Sequence, residues 1–227
     1  MGSLVDIKTH FLGMNLVRLK IDEFLAKNFV RAGYSRVEMI KTPLGTRVVL
    51  YADRPSMIIG RKGQTIKQLT EVFEKYFKVE NPQIVVTQVE NSDLDARIVA
   101  SRVALAIEKG YHFRRAAFVA LRRVLAAGAQ GVEIVISGKI VSERARYEKL
   151  RAGKVYKTGQ HLDRLLDRAV VHLLLKPGIY GIEVLIVRPS EPDDIVRVST
   201  ESVVIGRETQ QTEANRESGG TIEGDAT

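Results

Sequence analysis

Apolar residues recur at helical spacing between Met14 and Arg31. Ile21, Phe24, Leu25 and Phe29 share one face, with Asp22, Glu23 and Lys27 opposite. Gly33 is a suitable stop for that helix. Two short runs follow, Arg36–Lys41 and Arg47–Ala52, parted by a turn containing Pro43 and Gly45. They predict two strands, with Val48, Leu50 and Ala52 on one face of the second. Pro55 suits the first turn of a short helix carrying Met57, Ile58 and Ile59. Beyond Gly60-Arg61-Lys62-Gly63 the spacing predicts a helix over Gln64–Phe77, burying Ile66, Leu69, Val72, Phe73, Tyr76 and Phe77. A strand over Gln83–Val89 closes this unit.

Asn91-Ser92-Asp93 reads as a hinge and helix N-cap. Two Ala-rich helices are expected over about Leu94–Lys109 and His112–Ala127, parted by Gly110 and stopped by Gly128. Strands are expected at Val132–Ser137 and Ile182–Arg188, with a basic ribbon running through Lys157. Between them Leu162, Leu165, Leu166, Ala169, Val170, Leu173 and Leu174 are spaced as on a helix, ended by Pro177-Gly178. After Pro189 the chain turns rich in Glu, Ser, Thr and Gly and loses its aromatics, the composition of a flexible tail.

Charge narrows the function. The 227 residues carry a net +8, yet the stretch from Arg207 onward holds two arginines against five acids, so residues 1–206 carry +11. A folded body with that surplus favours a polyanion, because each phosphate it neutralises releases a condensed counterion. A basic enzyme is the competing reading at this level. The chain has no cysteine, which excludes disulfides, thiolate catalysis and Cys-ligated zinc. His10, His112, His161 and His172 lack ligand spacing, so no metal is expected. No apolar run approaches a membrane span and no signal-peptide pattern opens the chain, so an intracellular protein without membrane contact is expected. His161 beside Asp163 reads as a surface pair and Ser137 lacks a nucleophile elbow. With no catalytic constellation, neither an enzyme nor a small-molecule substrate or cofactor is expected.

The most informative motif is Gly60-Arg61-Lys62-Gly63 between two short helices. Two glycines let a phosphodiester backbone approach, Arg61 and Lys62 supply charge, and the helix opening at Gln64 presents backbone N–H groups. Ile58, Ile59 and Ile66 are candidates for an apolar wall against unstacked bases. A lone GxxG is usually an ordinary turn. In the order helix, strand, strand, helix, glycine loop, helix, strand, it is the signature of a type II K homology (KH) domain, which clamps single-stranded RNA. The phosphate-loop alternatives fail, since neither a GxGxxG after a strand nor a Walker spacing is present.

A second constellation lies on the helix near His112, where Arg114, Arg115 and Arg122 fall within about a quarter turn. No acid between Tyr111 and Gln130 neutralises them, and clustered guanidinium forks favour phosphate over plain solvation. A third is the ribbon from Lys139 to Lys157, in which Arg144, Arg146, Lys149 and Lys154 are candidate RNA contacts interleaved with Tyr147 and Tyr156. The expected fold is therefore α+β. Residues 1–91 form a type II KH domain (α-β-β-α-α-β), and residues 92–188 a second domain with two helices on a mixed or antiparallel sheet. Residues 189–227 form an acidic flexible tail.

These pieces resemble the universal family of small-subunit ribosomal protein three. The resemblance rests on GYSRVE at Gly33–Glu38, MIIGRKGQTIKQL at Met57–Leu69, FRRA at Phe113–Ala116, GAQGVEIVISGKI at Gly128–Ile140 and GIYGIEVLIV at Gly178–Val187. TPLGTR at Thr42–Arg47 and the stretch Gly153–Gln160 look archaeal or eukaryotic rather than bacterial. The resemblance implies a cytoplasmic constituent of the small-subunit head that binds rRNA, contacts neighbouring head proteins and lines the path of incoming mRNA. Arg114 and Arg115 match basic positions that the family associates with unwinding structured mRNA, whereas a third such position is Phe118 here, with Arg122 one turn on. The family also implies a strand at Leu162–Asp167 ahead of a short helix, against the local helical spacing. The alternative from another class is a free-standing KH regulator of cellular RNAs.

Overall fold

The computed structural model describes residues 7–159 and 162–189. The expected tail, apart from Pro189 at its start, and the ring of His161 lie outside them. The first layer runs α1 (Ile7–Asn28), a 3-10 turn (Val30–Ala32), β1 (Tyr34–Thr42), β2 (Gly45–Ala52) and α2 (Pro55–Ile59), followed by α3 (Gln64–Lys75) and β3 (Pro82–Gln88). The α1 helix starts seven residues before the expected Met14, and Gly33, left-handed at φ +67°, closes the 3-10 turn after it. The sheet order is β1-β2-β3, with β1 and β2 antiparallel and β2 and β3 parallel, Val48 facing Ile84 and Leu50 facing Val86. That parallel pair needs a long crossover, and α2, the glycine loop and α3 supply it.

The alternation along β2 places Val48, Leu50 and Ala52 wholly inside, against Ile21 and Leu25 of α1 and Leu69 and Phe73 of α3. Phe73, Phe77 and Phe24 form an edge-to-face chain with ring centres 5.9 and 5.8 Å apart. Tyr76, expected in this stripe, is 84% exposed. Helix α3 ends at Lys75, one residue short of it, and left-handed Lys78 then redirects the chain.

The second layer contains α4 (Ala96–Glu108), α5 (Phe113–Ala126), β4 (Gly131–Gly138), β5 (Arg146–Gly153), α6 (Leu162–Leu165), β6 (Leu166–Leu175) and β7 (Gly178–Val187). Its sheet, ordered β5-β4-β7-β6, is antiparallel throughout. Val132, Ile134 and Ile136 of β4, with Ile182, Val184 and Ile186 of β7, pack against Val99, Val103, Ala117 and Val124 of the two helices. This matches the α+β class and the KH element order.

Two local expectations are corrected. The stretch expected to be helical through Leu174 is helical only for the single turn Leu162–Leu165, after which Leu166–Leu175 is a strand paired residue for residue with β7. The family-based order, strand before helix, is therefore also inverted. The α4 N-cap is Asp95 rather than the Asn91-Ser92-Asp93 stretch, which belongs to a 3-10 turn (Ser92–Leu94). Asp95 Oδ1 accepts from the backbone N–H groups of Arg97 and Ile98 at 3.0 and 3.1 Å. The Asp93 carboxylate is instead bound by Arg102.

Helix α4 also ties the two layers together. Arg97 reaches Asp22 on α1 and the carbonyl of Ser35, while Arg102 donates to Asp53 at 3.1 Å and to the Ser92 hydroxyl at 2.6 Å. The Ser35 hydroxyl donates to Asp95 Oδ2 across the same junction.

Candidate nucleic-acid interface

At the glycine loop three of four residues occupy the left-handed half of backbone space: Gly60 at φ +72°, Lys62 at +52° and Gly63 at +73°. A side chain is tolerated there only with strain, and Lys62 carries that strain. A Cβ on Gly60 would collide with the Thr65 hydroxyl, so the close approach there admits glycine alone. Gly63 faces open space. As N-cap of α3 it offers no side-chain acceptor, so the first-turn N–H groups of α3 receive no cap from it. Arg61 and Lys62 are exposed, and neither has an ion-pair partner among the described residues. The loop thus combines cations without an ion-pair partner among the described residues, a helix start that no side chain caps and a close backbone approach, the requirements for a phosphate track.

The expected apolar wall changes membership. Ile58 is fully buried and faces the core, whereas Met57 and Ile59 are exposed beside the loop and Ile66 is half-buried.

On α5 the three arginines meet different fates. Arg114 forms a forked pair with Glu148 of β5, Nε to Oε1 at 2.9 Å and Nη2 to Oε2 at 3.2 Å. The neutralising carboxylate comes from another element, which a scan of the helix for acids does not see. Arg122 lies over the ring of Phe118 at 4.7 Å, so the residue standing in the family's third basic position serves as a platform for a cation. Arg115 is exposed and has no carboxylate partner among the described residues.

The ribbon residues divide between the two faces of the sheet. Arg146 opens β5 on the same face as Glu148 and is exposed there, bringing it to the side of α5. Arg144 is exposed in the loop before β5, and Lys154 is exposed just after it, its N–H donating to the carbonyl of Gln130. Lys149 sits on the opposite face and pairs with Glu133 of β4 at 2.8 Å. Glu133 is only 2% exposed, and Lys157 reaches the same Oε1 at 3.1 Å. Burial would push the Glu133 carboxyl up, but the two lysine hydrogen bonds outweigh it and hold it below its ordinary value. The bond to Glu133 raises Lys149 in turn. Lys149 is therefore a partner of a buried carboxylate rather than a free cation.

In the second layer Arg114 is thus turned toward β5, Arg115 toward α4 and Arg122 over Phe118, while Gly60, Arg61, Lys62 and Gly63 belong to the first. Arg123 and Tyr111, which no sequence motif singled out, join Arg115 around a groove between α4 and α5. The signal available was the second Arg-Arg doublet, Arg122-Arg123. Among the described residues no cluster of potential metal ligands occurs, and no helix is long and apolar enough to cross a membrane.

A family model described as the KH domain matches residues 20–94, and one for the C-terminal domain of ribosomal protein S3 matches residues 103–186. The small ribosomal subunit protein uS3 of Saccharolobus solfataricus is 57% identical over 193 residues, covering 85% of this chain and 84% of that protein. That of Hyperthermus butylicus is 58% identical over 195 residues, 86% of this chain and 79% of its own length. That of Ignicoccus hospitalis is 51% identical over 217 residues, 92% and 90% respectively.

Proposed function

The chain belongs to the uS3 family of small ribosomal subunit proteins, and we propose that it serves at the channel through which mRNA enters the subunit. As a member of that family it is an RNA-binding structural constituent of the small subunit and not an enzyme. Within the cytoplasmic ribosome its partners are rRNA, incoming mRNA and neighbouring proteins of the subunit head. In this reading residues 1–91 and 92–188 are separate binding modules, and residues 189–227 an acidic appendage.

The observation that carries the reading is the glycine loop. Its backbone is committed to left-handed geometry at Gly60, Lys62 and Gly63, and Arg61 and Lys62, with no ion-pair partner among the described residues, stand beside a start of α3 that no side chain caps. That arrangement suits the backbone of single-stranded RNA, for which phosphates supply the missing acceptors. Arg115 and Arg122 of α5, with Arg144, Arg146 and Lys154, give the second layer its own cationic side. Contacts of that kind position RNA without reading its sequence, as a channel for every message requires. Arg114 and Arg115 are the residues that would press on structured mRNA as it enters.

Sedimentation tests the assignment. The tagged full chain is expected to co-migrate stoichiometrically with small subunits through a high-salt gradient. Free migration with a diverse set of cellular RNAs would favour a separate KH regulator instead. Crosslinking with an mRNA carrying a photoreactive uridine downstream of the decoding site is expected to capture the chain at α5.

A further inference from the structure

The open cavity between α4 and α5, of about 330 Å³, is large enough for a single nucleotide and distant in the chain from the glycine loop. Its apolar lining is made of small side chains, Ala106 of α4 with Ala116 and Ala120 of α5, together with Val99, Val103 and Val119, which allow a flat ring to come close. Tyr111, exposed between the two helices, stands at its rim. Three guanidinium groups line it. Arg102 is already engaged by Asp93, Asp53 and Ser92, which also accounts for the one carboxylate in the lining. Arg115 and Arg123 are exposed and have no ion-pair partner among the described residues. They stand eight residues apart, about 12 Å along the helix axis, with Ala116 and Ala120 between them.

The geometry points to a receptor for one unstacked ribonucleotide of single-stranded RNA. The base rests on the alanine floor against Tyr111, and the flanking phosphates are held by Arg115 and Arg123. An aromatic rim with an apolar floor suits a π-face, and two free guanidinium forks suit phosphate oxygens. An acidic peptide would use the arginines but would leave the apolar floor and Tyr111 without a planar partner, so RNA is the occupant the lining favours. Arg114, tied to Glu148, lies outside this site. The inference rests on the RNA-binding reading above and gives it a second, base-accepting subsite.

The test uses the full chain with its alanine methyl groups labelled for NMR, and a nine-nucleotide oligoadenylate as probe. The methyl signals of Ala106, Ala116 and Ala120 are expected to shift under the base's ring current with the single strand and to stay still with a duplex of equal length. Ala120→Phe fills the cavity and leaves every arginine in place. It is expected to weaken oligoadenylate binding roughly fivefold, the low end of what one stacked base contributes, with an unchanged salt dependence. Arg115→Ala with Arg123→Ala is expected to reduce the salt slope by about two phosphate contacts. Tyr111→Leu, at an exposed position, gives the same loss of affinity should Ala120→Phe fail to fold. Binding of RNA with silent methyls and no effect of Tyr111→Leu would overturn the subsite while sparing the parent reading. No binding of RNA by the wild-type chain would remove the parent reading itself. A polyglutamate peptide that shifts these methyls at lower concentration than the RNA would also overturn the proposal, reassigning the groove to acidic protein segments.

Discussion

Arg97 of α4 grips Asp22 of α1 with both ends of its guanidinium fork, Nη1 to Oδ1 and Nη2 to Oδ2, each at 2.9 Å. Tyr34 of β1 joins the pair, its hydroxyl donating to Asp22 Oδ1 at 2.6 Å beneath the Arg97 guanidinium, which lies 5.1 Å from the ring centre. Both charged side chains keep about a third of their surface, so solvent screens the pair. Arg97→Ala is expected to cost about 1–2 kcal/mol in urea unfolding, below the toll for a wholly buried pair.

The same cluster sets an alkaline limit. Burial, and then the hydrogen bond to Asp22, push the Tyr34 phenol well above its ordinary value. A raised pKa means the folded state keeps a proton that the unfolded chain loses. The stabilisation is therefore complete below the unfolded tyrosine value, near pH 10, and declines as pH rises beyond it. Tyr34→Phe should flatten that part of the stability profile in thermal melts between pH 9 and 11.

The two loop glycines should behave differently. Gly60→Ala drives a Cβ into the Thr65 hydroxyl from a left-handed backbone, and about 1–2 kcal/mol of stability should be lost. Thr65→Ala in that background should recover part of it. Gly63→Asp meets open space but keeps a left-handed backbone, so it should cost about 1 kcal/mol without unfolding the chain, while RNA affinity falls several-fold through charge repulsion. Wild-type affinity in the Gly63→Asp chain would mean that the loop is only a turn.

Arg115 should matter more to RNA than Arg114, because Glu148 already occupies Arg114. Arg115→Ala is expected to weaken binding of all sequences alike and to reduce the salt slope by about one. Arg114→Ala should do less to affinity. In reconstituted translation the double variant should stall more at a stable hairpin than on an unstructured message; equal slowing on both would remove the unwinding role.

Glu133 sets the acid response. Its depressed carboxyl contributes stability that is present above the unfolded carboxylate value, near pH 4.3, and lost as pH falls through its lower folded value. Glu133→Gln should lower stability by about 1 kcal/mol at neutral pH, and that difference from wild type should shrink toward pH 3.

Deleting residues 208–227 removes five acids and one arginine. Nonspecific RNA affinity should rise modestly at low salt, with the thermal midpoint unchanged, since so few apolar residues are taken away. A large drop in the midpoint would show that the segment packs on the body.

Much of this architecture was legible because its signals are local. The alternation of Val48, Leu50 and Ala52, Pro55 at a helix start and the two glycines around Arg61-Lys62 each act within a few residues, and each element formed where expected. Leu166–Leu175 was misread because it is apolar on both faces. Ala169, Val171 and Leu173 turn inward while Val170 and Leu174 stay exposed, and the same residues also fit a helical count. Its strand state comes from pairing with β7, a tertiary cause that local spacing does not encode. The charge balance around Lys149 and Arg114 was hidden for a related reason. Each is neutralised across a sheet or between layers, by Glu133 and Glu148, which charge counting along one segment cannot reveal.

The parallel pairing of β2 with β3 has a consequence for the order of events during synthesis. The glycine loop lies inside the crossover that joins these strands, so its supporting frame is incomplete until Pro82–Gln88 can dock beside Gly45–Ala52. A growing chain that has released only the first two strands carries Arg61 and Lys62 on an unanchored segment. The pairing that frames the loop is therefore expected to form only after Gln88 has cleared the exit tunnel.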